Sequence, residues 1–215
     1  MFRTNSGTIK NLIVGKQDIK AYDGQYSVKY DVNYVESNSA VAILSVGGLV
    51  GENTGTIADC KVDNVIINAT LADKNNDKSL YIMVGGIAGV NKGTISGTYV
   101  RYCNINVKAT AQTDSEDDAS GWLGGICGKN ESTVTQCGLQ FSTLGLEVSA
   151  DGTQRQHAIA GGFLGGIVGE QTSGTTSGCG IYQNTLHNIV GYGDWVYQDF
   201  HRQDVIGKIT GGAYY

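Results

Sequence analysis

At 215 residues the chain is long enough to bury a substantial core, and it contains 32 glycines and no proline. Flexible linkers are rich in both, whereas a chain whose backbone N–H groups all join sheet ladders excludes proline, so the composition predicts a β-rich protein. A net charge of −5 without a basic cluster speaks against a nucleic-acid partner, and the apolar runs fall short of the ~18 residues a bilayer span needs, so no membrane insertion is expected of this segment.

The chain opens MFRTNSGTIK, without the apolar stretch of a signal peptide. Met1 to Ile9 overlays a phrase found later, LVGENTGTI, with Gly7 against Gly55. The pattern predicts a chain that starts inside a repeat, as part of a longer protein whose own N-terminus carries a secretion signal. YSVKYDVNYV then alternates, with Tyr26, Val28, Tyr30, Val32 and Tyr34 on one face and Ser27, Lys29, Asp31 and Asn33 on the other, the period of a strand.

The phrase GGLVGENTGTIADC begins at Gly47 and returns as GGIAGVNKGTISGT at Gly85, GGICGKNESTVTQC at Gly124 and GGIVGEQTSGTTSGC at Gly165. Spacings of 38, 39 and 41 residues mark a stacked repeat. Within each unit, short β-branched runs end at Gly or Asn, and no helical periodicity competes. ADKNNDKS (72–79), TDSEDDAS (113–120) and ADGTQRQ (150–156) recur at one phase and read as projecting hairpin tips, where a repetitive scaffold usually carries binding. Aromatic residues, including Tyr192, Trp195, Tyr197 and Phe200, gather near the C-terminus as a cap or a platform for a sugar ring. The expected division is residues 1–180 as repeats and 181–215 as the terminal coil or cap of the same domain.

A parallel β-solenoid, right-handed like most β-helices, explains the recurrence, because equivalent residues of successive coils stack about 4.8 Å apart. About four and a half repeats are expected, each either one coil with a hairpin or two smaller coils. Leu49, Ile87, Ile126 and Ile167 form one inward ladder and Ile57, Ile95 and Val134 another, each burial contributing roughly 1.5 to 3 kcal/mol; Thr176 narrows the second in the last unit. Asn53, Asn91 and Asn130 recur at a corner where Asn caps turn N–H groups and tolerates the left-handed region, a series that Gln171 breaks. Cys60, Cys137 and Cys179 share one position, filled by Thr98 in the second unit. Five cysteines without a CxxC pair predict buried free thiols, joined by Cys103 and Cys127, rather than disulfides or a metal site.

G-G-[LI]-[VAC]-G-x-N-x-G-[TS]-[IV], followed three residues later by Cys, resembles the GLUG motif of bacterial surface proteins, over about Gly47 to Cys179. The resemblance implies a secreted or surface-anchored β-solenoid segment, since many members are described as adhesins. The motif also occurs in immunoglobulin A peptidases, outside their catalytic part, and it carries no catalytic residues.

The remaining candidates are sparse. Asp73, Asn75 and Asp77 begin a calcium-loop pattern that fails at Lys78 and Val84. Asp117 and Asp118 belong to a similar acidic tip. His157, His187 and His201 are scattered, and no HExxH or GxSxG occurs. Asp59 and Asp63 beside Lys61 have no acidic counterparts in later coils. No catalytic residue, metal or cofactor is expected. The sequence points to a non-enzymatic, adhesin-like module on the cell surface or outside it, taking a host or cell-surface glycan or protein at Asn75, Asp77, Asp117, Asp118, Trp195 or Tyr197. A passive stalk, a phage receptor-binding fibre and a polysaccharide-degrading β-helix are the alternatives.

Overall fold

The computed structural model describes residues 1–15, 28–36, 41–73, 79–112, 119–151 and 160–192. All regular structure among them is β. The first coil supplies β1 (Phe2–Asn5), β2 (Thr8–Lys10), β3 (Ile13–Gly15) and β4 (Val28–Glu36). The second runs through β5 (Val41–Gly47), β6 (Val50–Asn53), β7 (Thr56–Ala58), β8 (Lys61–Asp63) and β9 (Val65–Asp73). The third repeats this as β10 (Ser79–Gly85), β11 (Ala88–Asn91), β12 (Thr94–Ser96), β13 (Tyr99–Arg101) and β14 (Asn104–Gln112). The fourth is β15 (Ala119–Gly124), β16 (Cys127–Asn130), β17 (Thr133–Thr135), β18 (Gly138–Gln140) and β19 (Thr143–Asp151). The last is β20 (Ala160–Gly165), β21 (Val168–Gln171), β22 (Thr175–Ser177), β23 (Gly180–Tyr182) and β24 (Thr185–Tyr192).

Each strand pairs in parallel with its counterpart one coil away, which builds five sheets. Sheet A is β1-β6-β11-β16-β21, sheet B β2-β7-β12-β17-β22, sheet C β3-β8-β13-β18-β23, sheet D β4-β9-β14-β19-β24 and sheet E β5-β10-β15-β20. Gly47, Gly85, Gly124 and Gly165 are in register, so one repeat makes one coil. The residues beyond a minimal coil lengthen the strands of sheets D and E, which face one another: a Cβ on Gly121 in sheet E would lie 2.8 Å from Leu146 and Val148 in sheet D. The strands flanking each predicted tip do not pair with each other; β9 ladders with β4 and β14, and β10 with β5 and β15.

The two inward ladders form as expected. Leu49, Ile87, Ile126 and Ile167 are buried and linked by backbone bonds such as Leu49 N–H to Ile87 O at 3.0 Å. Ile57, Ile95 and Val134 are buried in register, and half-buried Thr176 follows them. The alternation holds over the middle of β4, with Val28, Tyr30 and Val32 packed on the core and Lys29, Asp31 and Asn33 outward, whereas Tyr34 is exposed and Tyr26 and Ser27 lie outside the described residues. The glycine pair is required by close approach between coils. A Cβ on Gly48 would overlap the Gly86 carbonyl oxygen, and one on Gly86 would meet the Gly125 carbonyl oxygen and, at 2.7 Å, a Val100 methyl.

The corner amides form one continuous ladder. Asn5 Nδ2 donates to Asn53 Oδ1, Asn53 Nδ2 to Asn91 Oδ1 and Asn91 Nδ2 to Asn130 Oδ1, each at 2.8 Å. Gln171 does not break it. Its longer side chain brings Oε1 within 3.0 Å of Asn130 Nδ2, so the chain of amides continues into the last coil. The left-handed expectation fails at these asparagines; at their corner positive φ falls on Gly174, and elsewhere on Gly15 and on two other corners, occupied by Asn11, Asp59, Gly97, Gln136 and Gly178 and by Asn64, Tyr102, Phe141 and Gln183. The Asn side chains cap their turns from the end of a strand, accepting from Gly7, Gly93 and Ser132 N–H groups at 3.2 to 3.3 Å.

Candidate binding surface

Asn75, Asp77, Asp117, Asp118, Trp195 and Tyr197 lie outside the described residues, as do His157 and His201. Of the other singled-out residues, His187 and Asp59 are exposed, whereas the cysteine column and Asp63 point inward. Cys60 and Cys137 are buried, Cys179 is half-buried, and all five cysteines are free. Their column has a polar task that hydrophobicity alone does not convey. Cys60, Cys137 and Cys179 each donate S–H to the carbonyl two residues back, at 3.2, 3.2 and 3.3 Å, and Thr98 does the same through Oγ1 at 2.9 Å. A short side-chain donor is what this position needs, which is why Thr substitutes for Cys. Cys103 and Ser142 repeat the device at the next corner. Burial pushes the Cys103 thiol up to about 12 and also raises Cys60 and Cys127.

Asp63 is buried, and Arg101 from the next coil holds it in a fork of two bonds, Nε to Oδ1 at 2.8 Å and the terminal amine to Oδ2 at 2.7 Å. It is one half of a structural ion pair and begins no acidic face. Among the described residues no three His, Cys, Asp or Glu side chains gather as metal ligands.

The feature that the fold does not require is aromatic. At the corner between sheets C and D the chain passes through a left-handed residue in each of the last four coils: Asn64 (φ 55°), Tyr102 (54°), Phe141 (51°) and Gln183 (50°). Asn tolerates that conformation, whereas for a bulky ring it costs on the order of 1–2 kcal/mol. Tyr102 and Phe141 nonetheless stack there, centroids 4.9 Å apart and planes 4° from parallel, and Tyr182 meets Phe141 edge-on at 5.4 Å. Tyr99 leans over the next coil, whose Gly138 leaves the space: a Cβ there would be 2.8 Å from the Tyr99 ring. One coil further, Gly180 has open space around its Cβ position. Tyr99 and Phe141 are each 38% exposed and Tyr182 56%, while Arg101 and Gln140 stand in register between them on sheet C.

A second aromatic row, on sheet E, is of another kind. Tyr81, Trp122 and Phe163 are half-buried, and their rings cover one another at 6.1 and 5.4 Å. Lys129 Nζ sits 5.5 Å from the Trp122 ring. Those faces are spent within the protein, whereas the sheet C corner turns its rings to solvent.

Beside that corner, the outer face of sheet D carries a polar row. Asn68 Nδ2 donates to Asp31 Oδ1 at 2.8 Å, and Asn106 Nδ2 donates to Asn68 Oδ1 at 2.9 Å. The Asn68 amide and Lys29 hold the Asp31 carboxyl below the usual carboxylate range. The next places in the row are Gly145 and His187. The missing side chain leaves a cavity of about 320 Å³, lined among others by Asn106, Gly145 and His187 and rimmed by Lys108 and Glu147, whose charges meet at 2.7 Å.

Sequence reading missed both features because it followed what recurs. The signal was present in the unit-by-unit comparison: at one corner Asn64 and Gln183 suit a left-handed turn, and Tyr102 and Phe141 do not.

The family model of the GLUG motif matches residues 44–68. That stretch leaves sheet E at Leu44, rounds the glycine corner, passes through sheets A, B and C, and ends in β9. The resemblance read from the repeated phrase thus rests on one nearly complete pass around the short-strand side of a coil, and the strand register carries that geometry to the other copies. No curated protein and no solved structure matches the chain.

Proposed function

We propose that this chain is a non-enzymatic, adhesin-like module of a secreted or surface protein, which holds a glycan or protein of a host or neighbouring cell against its side. The carrying observation is the corner where exposed Tyr99, Phe141 and Tyr182 gather about half-buried Tyr102, with Tyr102 and Phe141 in a backbone conformation that costs stability. Strain without structural return is retained where it serves recognition. Aromatic rings with planar donors beside them suit a ligand that is apolar on one face and polar at its edges. The GLUG match is consistent with a structural repeat, and the secreted or surface location is part of this proposal, drawn from the resemblance of the repeated phrase.

The test is binding of the 215-residue chain to a glycan and extracellular-matrix array, with Tyr182→Ala and Phe141→Asn variants beside it. A hit lost in the variants supports the reading, and silence across the array refutes it. A passive spacer is the second reading, favoured by interior ladders that hold the rod together without any ligand; it predicts that silence.

A further inference from the structure

We propose that the notch at Gly145 is a subsite for a hydroxyl group of a neutral oligosaccharide; this rests on the reading of the chain as a binding module. Gly145 is not there for the backbone. Its φ lies outside the left-handed region, and a Cβ would meet only Asn106 Oδ1 at 3.2 Å and a carbonyl oxygen at 4.0 Å, so a small shift of one amide admits a Cβ. Glycine within a strand costs roughly 0.5–1 kcal/mol against alanine, and a β-branched residue would suit a sheet face better still. The fold forgoes that stability and keeps an opening.

The opening is chemically directed. The amide row on sheet D has a polarity: each Nδ2 points back one coil and each Oδ1 awaits a donor from the coil ahead. At Asn106 the coil ahead offers Gly145, so among the described residues no donor reaches Asn106 Oδ1. Across the gap stands exposed His187, whose ring can donate or accept. A hydroxyl placed between them gives its proton to Asn106 Oδ1 and meets the imidazole with its other valence. Lys108 and Glu147 close on each other at the rim, so among the described residues lining the notch the lysine's charge is already met by a carboxylate. The net charge of −5 likewise disfavours an acidic polymer. Phe141 lies four residues before Gly145 on the same coil, at most about 14 Å away in extended chain, so one oligosaccharide can face the rings and reach the notch.

Cellohexaose, xylohexaose, maltohexaose and chitohexaose, with an oligogalacturonate as the acidic counterpart, are titrated into the full chain by calorimetry and by NMR of the Asn106 amide and His187 ring. The expected result is that a neutral hexasaccharide binds, the acidic one does not, and both sets of resonances shift. Gly145→Val should weaken binding about tenfold, as loss of a directed hydrogen bond implies, with a melting temperature unchanged or higher. Equal affinity in Gly145→Val, or unmoved Asn106 and His187 signals, overturns the subsite. If Phe141→Asn abolishes binding while Gly145→Val does not, the module reading stands and the notch falls. If no neutral hexasaccharide binds but a protein on the array does, the outcome is the same; silence everywhere removes both.

Discussion

Asn91 gives the sharpest test of how the coils are joined. It is fully buried, and its side chain makes five bonds. Nδ2 donates to Asn130 Oδ1 at 2.8 Å and to the Gly93 and Thr133 carbonyls at 3.1 Å each; Oδ1 accepts from Asn53 Nδ2 at 2.8 Å and Gly93 N–H at 3.3 Å. Nδ2 shares two protons among its three acceptors, so with four independent bonds at about 0.5–1.5 kcal/mol net each, Asn91→Ala would cost roughly 2–6 kcal/mol. Some partners are not stranded: Asn53 Nδ2 keeps contacts to Gly55 O and Thr94 O, and Asn130 Oδ1 keeps the Ser132 N–H. That places the expected loss at about 3–5 kcal/mol.

Asn91→Asp separates hydrogen bonding from packing, because it keeps the shape and removes the donors. A carboxylate there faces the three acceptors that Nδ2 now serves, in a buried site, so its pKa rises above the ordinary ~3.9. A raised carboxyl pKa means the folded state binds more protons, so stability falls as pH climbs past the unfolded value and returns on acidification. Asn91→Asp should be at least as damaging as Asn91→Ala at pH 7 and recover in part at pH 4, where the acid regains one donor. Urea midpoints from far-UV circular dichroism at both pH values measure this. A loss below about 1 kcal/mol for Asn91→Ala, or a pH-independent Asn91→Asp, would refute the ladder as a source of stability.

Gly86→Ala sets a Cβ against the Gly125 carbonyl and the Val100 methyls and should cost at least the ~3 kcal/mol at the upper end of overpacking, read from thermal unfolding. Because the Cys103 thiol is pushed up to about 12, the folded state keeps a proton that the unfolded chain releases above its ordinary ~8.5. Stability should therefore fall between those values by up to about 1.4 kcal/mol per pH unit, a slope that Cys103→Ala lessens in urea titrations at pH 8 and 10. Phe141→Asn relieves on the order of 1–2 kcal/mol of left-handed strain while losing the ~0.5–1.5 kcal/mol of a stacked pair. Its urea midpoint should stay close to that of the unchanged chain while ligand is no longer held.

The fold was largely legible because a solenoid writes its geometry repeatedly. Gly47, Gly85, Gly124 and Gly165 announce the coil, and Leu49 with its counterparts announces the core, since each coil must satisfy the same corner. What was not legible depended on reach and direction. That Gln171 prolongs the amide ladder follows from one extra methylene, and that Cys60 and Thr98 do the same work follows from a bond to a carbonyl two residues back. The aromatic corner was hidden because Phe141 and Tyr182 join Tyr99 and Tyr102 only across coils.

In a stack whose equivalent residues meet at about 4.8 Å, like upon like is the default, so each departure from a column asks what offsets it. Some are offset inside the fold. Arg101 upon Asp63 trades two like charges for a forked ion pair, and Thr98 in the cysteine column keeps the donor its neighbours supply. Tyr102 and Phe141 are different, because stacking on each other returns no more than the left-handed backbone costs. Gly145 is different again, because it returns nothing to the fold and leaves an acceptor facing solvent. In this chain the departures that the fold offsets least lie on adjoining faces of sheets C and D. Selection for stability alone would favour Asn at the corner and a β-branched residue in the row, so these are the positions at which the proposed binding role is to be tested.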